Sequence, residues 1–178
     1  MTTLEIRETI VPTGTWKLDP THSQVDFSVK HLGISTVRGT FSDVSATLTG
    51  GEEPTLSGSI RLASVSTKDA DRDAHLSSPD FFDTERYPEA TFEATFISPE
   101  RLIGNFTLKG VTKEIEFVSS LIGPAPDPSG GERLGIDLEG EIDRTDYGVS
   151  FNMPLPAGGL ALGTDVKLVA SLSFVRGA

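Results

Sequence analysis

The chain contains no cysteine. Disulfide frameworks, zinc–thiolate sites and thiol chemistry are therefore excluded at the outset. Polar aromatics are scarce, with 2 Tyr and 1 Trp against 10 Phe, so most aromatic surface carries no group that needs a hydrogen-bond partner. Basic charge is also in deficit: 15 Lys and Arg face 26 Asp and Glu, a formal net charge of −11. That balance opposes contact with nucleic-acid phosphates. Taken over the whole molecule, it also opposes docking on an anionic membrane through a basic patch. Long apolar runs are missing as well, and no stretch approaches the ~20 residues of a membrane-spanning helix. Near the start, Glu5, Arg7 and Glu8 interrupt the apolar positions, so no export leader is read there. The expectation is a soluble, cytoplasmic protein with no integral membrane span and no nucleic-acid partner.

What the chain does have is alternation with a period of two. Val25, Phe27 and Val29 share one face; Phe92, Ala94 and Phe96 share another. Leu134, Ile136, Leu138, Gly140 and Ile142 repeat the pattern, and Val166, Leu168, Ala170, Leu172 and Phe174 close the series. Leu56–Leu62, Leu102–Leu108 and Val111–Leu121 are patterned alike. One face buried and one face wet marks an antiparallel sheet. Between Phe41 and Val44 the apolar parity switches from odd to even positions, which predicts a bulge or bend near Ser42-Asp43. About eight strands joined by short connections point to an all-β, closed, antiparallel up-and-down barrel; a two-sheet sandwich fits the same periodicity. Lys109-Gly110 reads as a tight turn, and residues 124–131 as an exposed Pro/Gly-rich loop. The connection Ser66 to Pro88 is too long for a hairpin. It is expected to hold short helical turns, capped by Asp69 or Asp71 and again at Ser78-Pro79. The division is a tail over residues 1–13 and a barrel domain over 14–178.

Three histidines, His22, His31 and His75, are the candidates for chemistry. Their spacing fits no zinc signature and no helical pair, so no metal and no cofactor is expected. Hydrogen bonding that ties loop to barrel is the preferred reading. Ser23 and His22 are neighbours on extended backbone and point apart, so they make no nucleophile–base pair. The alternative to a binding protein is a small hydrolase or isomerase using these histidines, or a stress-related interaction module with a filled core. The inward faces mix bulky Phe27, Phe41, Phe92, Phe96, Phe106 and Phe117 with small Gly39, Gly58, Ala94, Gly104, Gly140 and Ala170. Either the small residues leave room for a ligand, with a hollow expected beside Ala94 and Gly104, or the glycines serve tight bending. A lumen of this kind suits an apolar ligand, each five-carbon unit contributing on the order of 2–4 kcal/mol on burial. The segment Ser150 to Gly163 is unusually apolar for a connection and is expected to form a pocket rim or a dimer contact.

Four ordered motifs add a resemblance. Residues 16–31 (Trp16-Lys17-Leu18-Asp19-Pro20-Thr21-His22 through His31) resemble the opening of YceI-like proteins. Arg72-Asp73-Ala74-His75-Leu76, with Phe81-Phe82-Asp83 and Tyr87-Pro88, is similar to that family's long-loop signature. Residues 104–113 resemble its central hairpin, and Asp143-Arg144-Thr145-Asp146-Tyr147-Gly148 its late motif. The resemblance implies a lipocalin-like eight-stranded barrel that holds a long-chain isoprenoid or fatty-acid-like lipid, with no catalytic turnover. His22, Phe27, His31, Arg72, His75, Phe81, Phe82, Arg144 and Tyr147 match motif positions. Together with Phe41, Phe92, Ala94, Phe96, Gly104 and Phe106 from the inward faces, they make up the candidate ligand-binding set. An isologous homodimer is compatible with such a barrel.

Overall fold

The computed structural model describes residues 10–177. Its strands are β1 (Gly14–Leu18), β2 (Gln24–His31), β3 (Ser35–Phe41), β4 (Val44–Gly50), β5 (Thr55–Arg61), β6 (Val65–Ser66), β7 (Glu89–Ile97), β8 (Arg101–Leu108), β9 (Val111–Pro126), β10 (Glu132–Asp143) and β11 (Leu162–Arg176). One α-helix, α1 (Ala70–Ser77), lies between β6 and β7. All pairings are antiparallel. β11 pairs along one edge with β10, from Arg133↔Val175 to Asp143↔Asp165. Along its other edge it meets first β2 and then β1. β1 and β2 are thus halves of one wall strand, broken by a short 3-10 turn at Pro20–His22 whose Thr21 amide is capped by Asp19. β3 and β4 are halves of the next, broken where the apolar parity switches. Counted so, the wall is a closed barrel of eight strands. Closure leaves almost no free edge. β3 is one exception, since it meets β6 only at Thr40 and Phe41, and β9 and β10 are another, since their ladder ends at Val118↔Glu139.

The long connection folds locally as its residue types require. The Asp69 carboxylate accepts the Arg72 amide and starts α1. The Asp73 carboxylate accepts both the amide and the hydroxyl of Thr67, which fastens α1 to the strand before it. Ser78 does not start a second helix. Its amide donates to the His75 carbonyl to end α1, and its own carbonyl accepts from Phe81 and Asp83, so the chain doubles back in turns. The loop expected at residues 124–131 is shorter than its composition suggests, because β9 runs on to Pro126 and only Asp127–Gly131 turn. Residues 1–9 of the expected tail lie outside the described residues. Packing nonetheless begins before residue 14: Val11 is fully buried, and the Pro12 carbonyl accepts the Trp16 indole N–H.

The interior divides along the barrel axis. One end is solid, filled by a cluster that includes Val11, Trp16, Leu48, Leu102, Leu134 and Phe174. A second cluster, with Phe27, Phe41, Leu62, Val65, Phe81 and Ile142, surrounds the other end. Glycines decide where the large rings lie. A Cβ on Gly39 would stand 2.3 Å from the Phe27 ring, one on Gly104 2.4 Å from Phe92, and one on Gly140 2.7 Å from Phe117. Each of these glycines is a seat over which a phenyl ring lies flat against the wall, not an opening and not only a bend.

Candidate functional site

Above the solid end lies a cavity of about 750 Å³. Its floor is the edge-to-face pair Phe92–Phe117, with centroids 5.6 Å apart, together with Leu56, Leu138 and Leu172. The register of β2 on β11 orders its wall by depth. Val25 opposite Ala170 is deep, Phe27 opposite Leu168 and Val29 opposite Val166 follow, and His31 opposite Leu162 stands at the top. Ser35, opposite His31, and Thr36, opposite Lys30, add polar lining at this upper level; Arg38 stands lower, opposite Ser28, and Thr67 with Arg72 and His75 of α1 also lines the space. These two groups flank the stretch of β3 that lacks a strand partner. The space is therefore greasy at depth and polar at its mouth.

The candidate residues distribute unevenly over this geometry. Phe27, His31, Phe41, Arg72, His75, Phe81, Phe82, Phe92, Phe106 and Arg144 line the cavity. Rings run in chains around it: Phe27 lies 5.5 Å from Phe41, which lies 6.1 Å from Phe82. The His75 ring stands edge-on to Phe81 and Phe151, each at 4.9 Å, and its Nε2 pairs with Asp80 at 2.9 Å. Arg72 is not free to reach inward, since it donates to the Thr67 hydroxyl and carbonyl. Arg144 touches the space but aims its guanidinium at carbonyls of Val149, Phe151 and Gly163. Burial pushes its pKa down from the ordinary arginine value, with the charge of Asp143 opposing. Its task is to hold the segment after residue 148 in shape.

Five candidates stand elsewhere. Tyr147 is buried behind the wall, edge-on to Phe106 at 5.5 Å. Ala94 and Gly104 face the filled end; Ala94 packs on the first cluster, and the Phe92 ring occupies the space in front of Gly104. The hollow expected beside them is therefore displaced toward β2, β3 and β11. Phe96 is on the outside, 47% exposed with the Arg101 guanidinium over its ring. A register shift between Ala94 and Phe96 turns it out, and a bulge of this kind is invisible to a count of alternate residues. His22 sits with Asp19 near β1, away from the lining. Several cavity residues carry no motif signal, above all Phe151, Asn152 and Met153. They come from the apolar segment expected as a rim, and Asn152 folds it by exchanging hydrogen bonds with both the amide and carbonyl of Leu162.

The polar cluster at His22 is a clasp. Arg133 bridges Asp19 and Asp127 at 2.8 and 2.7 Å and also donates to Ser173. Arg133, with His22, holds Asp19 far below the usual carboxylate range. The Ser129 hydroxyl and amide, then Arg133, bring Asp127 down to about 2 from 3.8. A carboxylate depressed in the folded state stabilises the fold above its unfolded pKa, and that contribution is lost as pH falls through the folded value. Melting temperature should therefore drop as pH is lowered from 3.8 toward about 2. Asp127→Asn should be less stable at neutral pH and should show a shallower acid slope. An identical slope in that variant would mean the clasp does not contribute.

Among the described residues, no group of three or more His, Asp or Glu side chains is placed to share a metal ion. The histidines divide: His22 lies with the clasp, whereas His31, which ends β2, and His75, which pairs with Asp80, both line the cavity. A family model of the YceI-like domain matches residues 16–174. The chain belongs to the YceI-like family. A UPF0312 protein of Staphylococcus aureus (strain N315) is 36% identical over 161 residues, covering 88% of this chain and 94% of that protein. Among solved structures, the YceI protein of Campylobacter jejuni is 30% identical with a TM-score of 0.68, over 84% of this chain and 90% of that one. A polyisoprenoid binding domain from Saccharophagus degradans has the same fold at 17% identity, with a TM-score of 0.69 over 91% of this YceI-like chain and 98% of that domain.

Proposed function

We propose that this YceI-like barrel carries one molecule of a long-chain isoprenoid or similar amphiphilic lipid, tail toward the Phe92–Phe117 floor and polar end at the mouth. The reading rests on the cavity itself. Protein interiors hold few voids larger than a water molecule, so an apolar space of about 750 Å³ forfeits packing throughout its lining unless a ligand supplies the contacts. Its size falls within the ~300–1,000 Å³ typical of small-molecule sites. The floor offers no charge, whereas His31 and the hydroxyls of Ser35 and Thr36 stand at the top, which suits a molecule with one apolar and one polar end. The polyisoprenoid binding domain of Saccharophagus degradans shares the fold and supports the isoprenoid class.

The protein in this reading is a carrier and turns nothing over. The engagement of Arg72, His75 and Arg144 with partners of their own supports that. Native mass spectrometry of protein purified without detergent, with an organic extract of the same sample, tests it. The expected result is a mass excess of one lipid per chain and a prenyl or long acyl species in the extract. A bare-chain mass and an empty extract, together with no uptake of a long-chain fluorescent probe, would overturn it.

A further inference from the structure

The charge of this molecule is not evenly spread, and its mouth is the exception. Residues 27–42 contain Lys30, His31 and Arg38 and not one Asp or Glu, while residues 147–164 contain no charged side chain at all. Two segments free of carboxylate are unexpected in a chain of net charge −11. They meet in space. The Leu32 amide donates to the Ala161 carbonyl at 2.7 Å, His31 is in register with Leu162, and Ala161 in turn bonds the Met153 carbonyl. Around this junction the side chains are large, apolar and exposed: Ile34 at 85%, Met153 at 58% and Leu160 at 56%. Leu32 itself turns the β2–β3 hairpin at a φ of 56°, a conformation that Gly or Asn adopts at lower cost. An exposed leucine there serves neither the turn nor the core.

We infer that the β2–β3 hairpin tip and the 153–161 loop form an edge that inserts into the surface of a lipid bilayer bearing anionic headgroups. The inference rests on the carrier reading only for its purpose, since the cargo of such a barrel leaves and re-enters a membrane through the mouth that this edge borders. Apolar tips would enter the headgroup region while Lys30 and Arg38 behind them meet lipid phosphates, the arrangement by which interfacial segments bind. Distant carboxylates do not cancel this, because exposed charges beyond ~8–10 Å are screened at ordinary salt. Near the mouth, α1 carries Asp69, Asp71 and Asp73, Asp80 follows it, and Asp165 of β11 stands beside Lys30, between the residues in register with Val29 and His31. The molecule would therefore dock by the hairpin and loop and not by the α1 side. A second copy of the chain is a poorer occupant. An isologous pair sets the same patch against itself, and neither segment has a carboxylate to offer the partner's Lys30 or Arg38 equivalents.

Flotation with vesicles tests this. Wild-type protein should float with vesicles of equal phosphatidylglycerol and phosphatidylcholine, weakly with phosphatidylcholine alone, and less as salt rises. The double variant Ile34→Asp, Leu160→Asp should lose roughly tenfold or more in vesicle affinity, while keeping its melting temperature and its uptake of a fluorescent long-chain probe from solution. Lys30→Gln should lose about fivefold, the factor that corresponds to ~1 kcal/mol per basic residue at an anionic surface. Three results would overturn the inference. One is wild-type flotation that is indifferent to phosphatidylglycerol. Another is a folded double variant that floats as well as wild type. The third is a wild-type dimer that the double variant converts to monomer, with no vesicle binding by either. Failure of the wild type to take up probe would count against the carrier reading alone, because flotation is read separately.

Discussion

Arg144→Met is expected to lower the melting temperature by roughly 10 °C or more, at ~2–4 °C per kcal/mol for a domain of this size. Arg144 is 4% exposed, and it donates to Val149 at 2.7 Å, Gly163 at 2.8 Å and Phe151 at 2.9 Å, all main-chain carbonyls. Methionine fills similar space but has no donor. Each buried carbonyl left without one costs ~1–3 kcal/mol, so roughly 3–5 kcal/mol is lost after partial relaxation. The effect should not stay local. These carbonyls belong to the segment that bears Phe151, Asn152 and Met153 into the cavity, so lipid retention should fall with stability. Arg144→Lys should land between the two, since an ammonium keeps the charge but cannot span the fork that a guanidinium does. A loss below ~1 kcal/mol in Arg144→Met would show that the loop holds its shape without these bonds.

Paired tryptophan substitutions should part in opposite directions. Ala170 lines the cavity beside Val25, so the indole of Ala170→Trp should enter the hollow and take volume that ligand would fill. The expected result is co-purified lipid near zero with little change in the melting temperature of the lipid-free protein. Ala94 packs against the solid cluster opposite Gly104, where the Phe92 ring already lies. Ala94→Trp should overpack that end and cost ~1–3 kcal/mol or more, while folded protein still carries lipid. Lipid per chain by native mass spectrometry and melting temperature after delipidation read both outcomes. Equal destabilisation of the two variants would mean that the lumen is packed alike at both ends, and the carrier reading would fail with it.

The contrast between these two alanines shows where reading by alternation stops. Both keep strand parity with inward neighbours, and both do point inward. What separates them is depth along the barrel, which depends on where β1 and β2, or β3 and β4, break and which rings lean over the glycines. Phe96 is a sharper case, since a one-residue shift in β7 moves it to solvent. Arg144 could be picked out from its motif, but not its task, because its partners follow it by 5 to 19 residues, from the irregular segment after residue 148 to the start of β11.

By itself the sequence determined the all-β class, the antiparallel pairing, the bend after Phe41, a capped helical turn starting near Asp69 or Asp71, and the family. These rest on period-two alternation, local turn chemistry and ordered motifs, which act over a few residues and survive in any arrangement of the strands. Only the tertiary structure decided that one end is solid and the other hollow, that Gly39, Gly104 and Gly140 are seats for phenyl rings, and that the carboxylate-free hairpin and loop meet at the mouth. Those features arise where residues far apart in the chain are brought together by closure of the barrel. Whether a space is filled depends on every side chain around it at once, and no local pattern carries that sum.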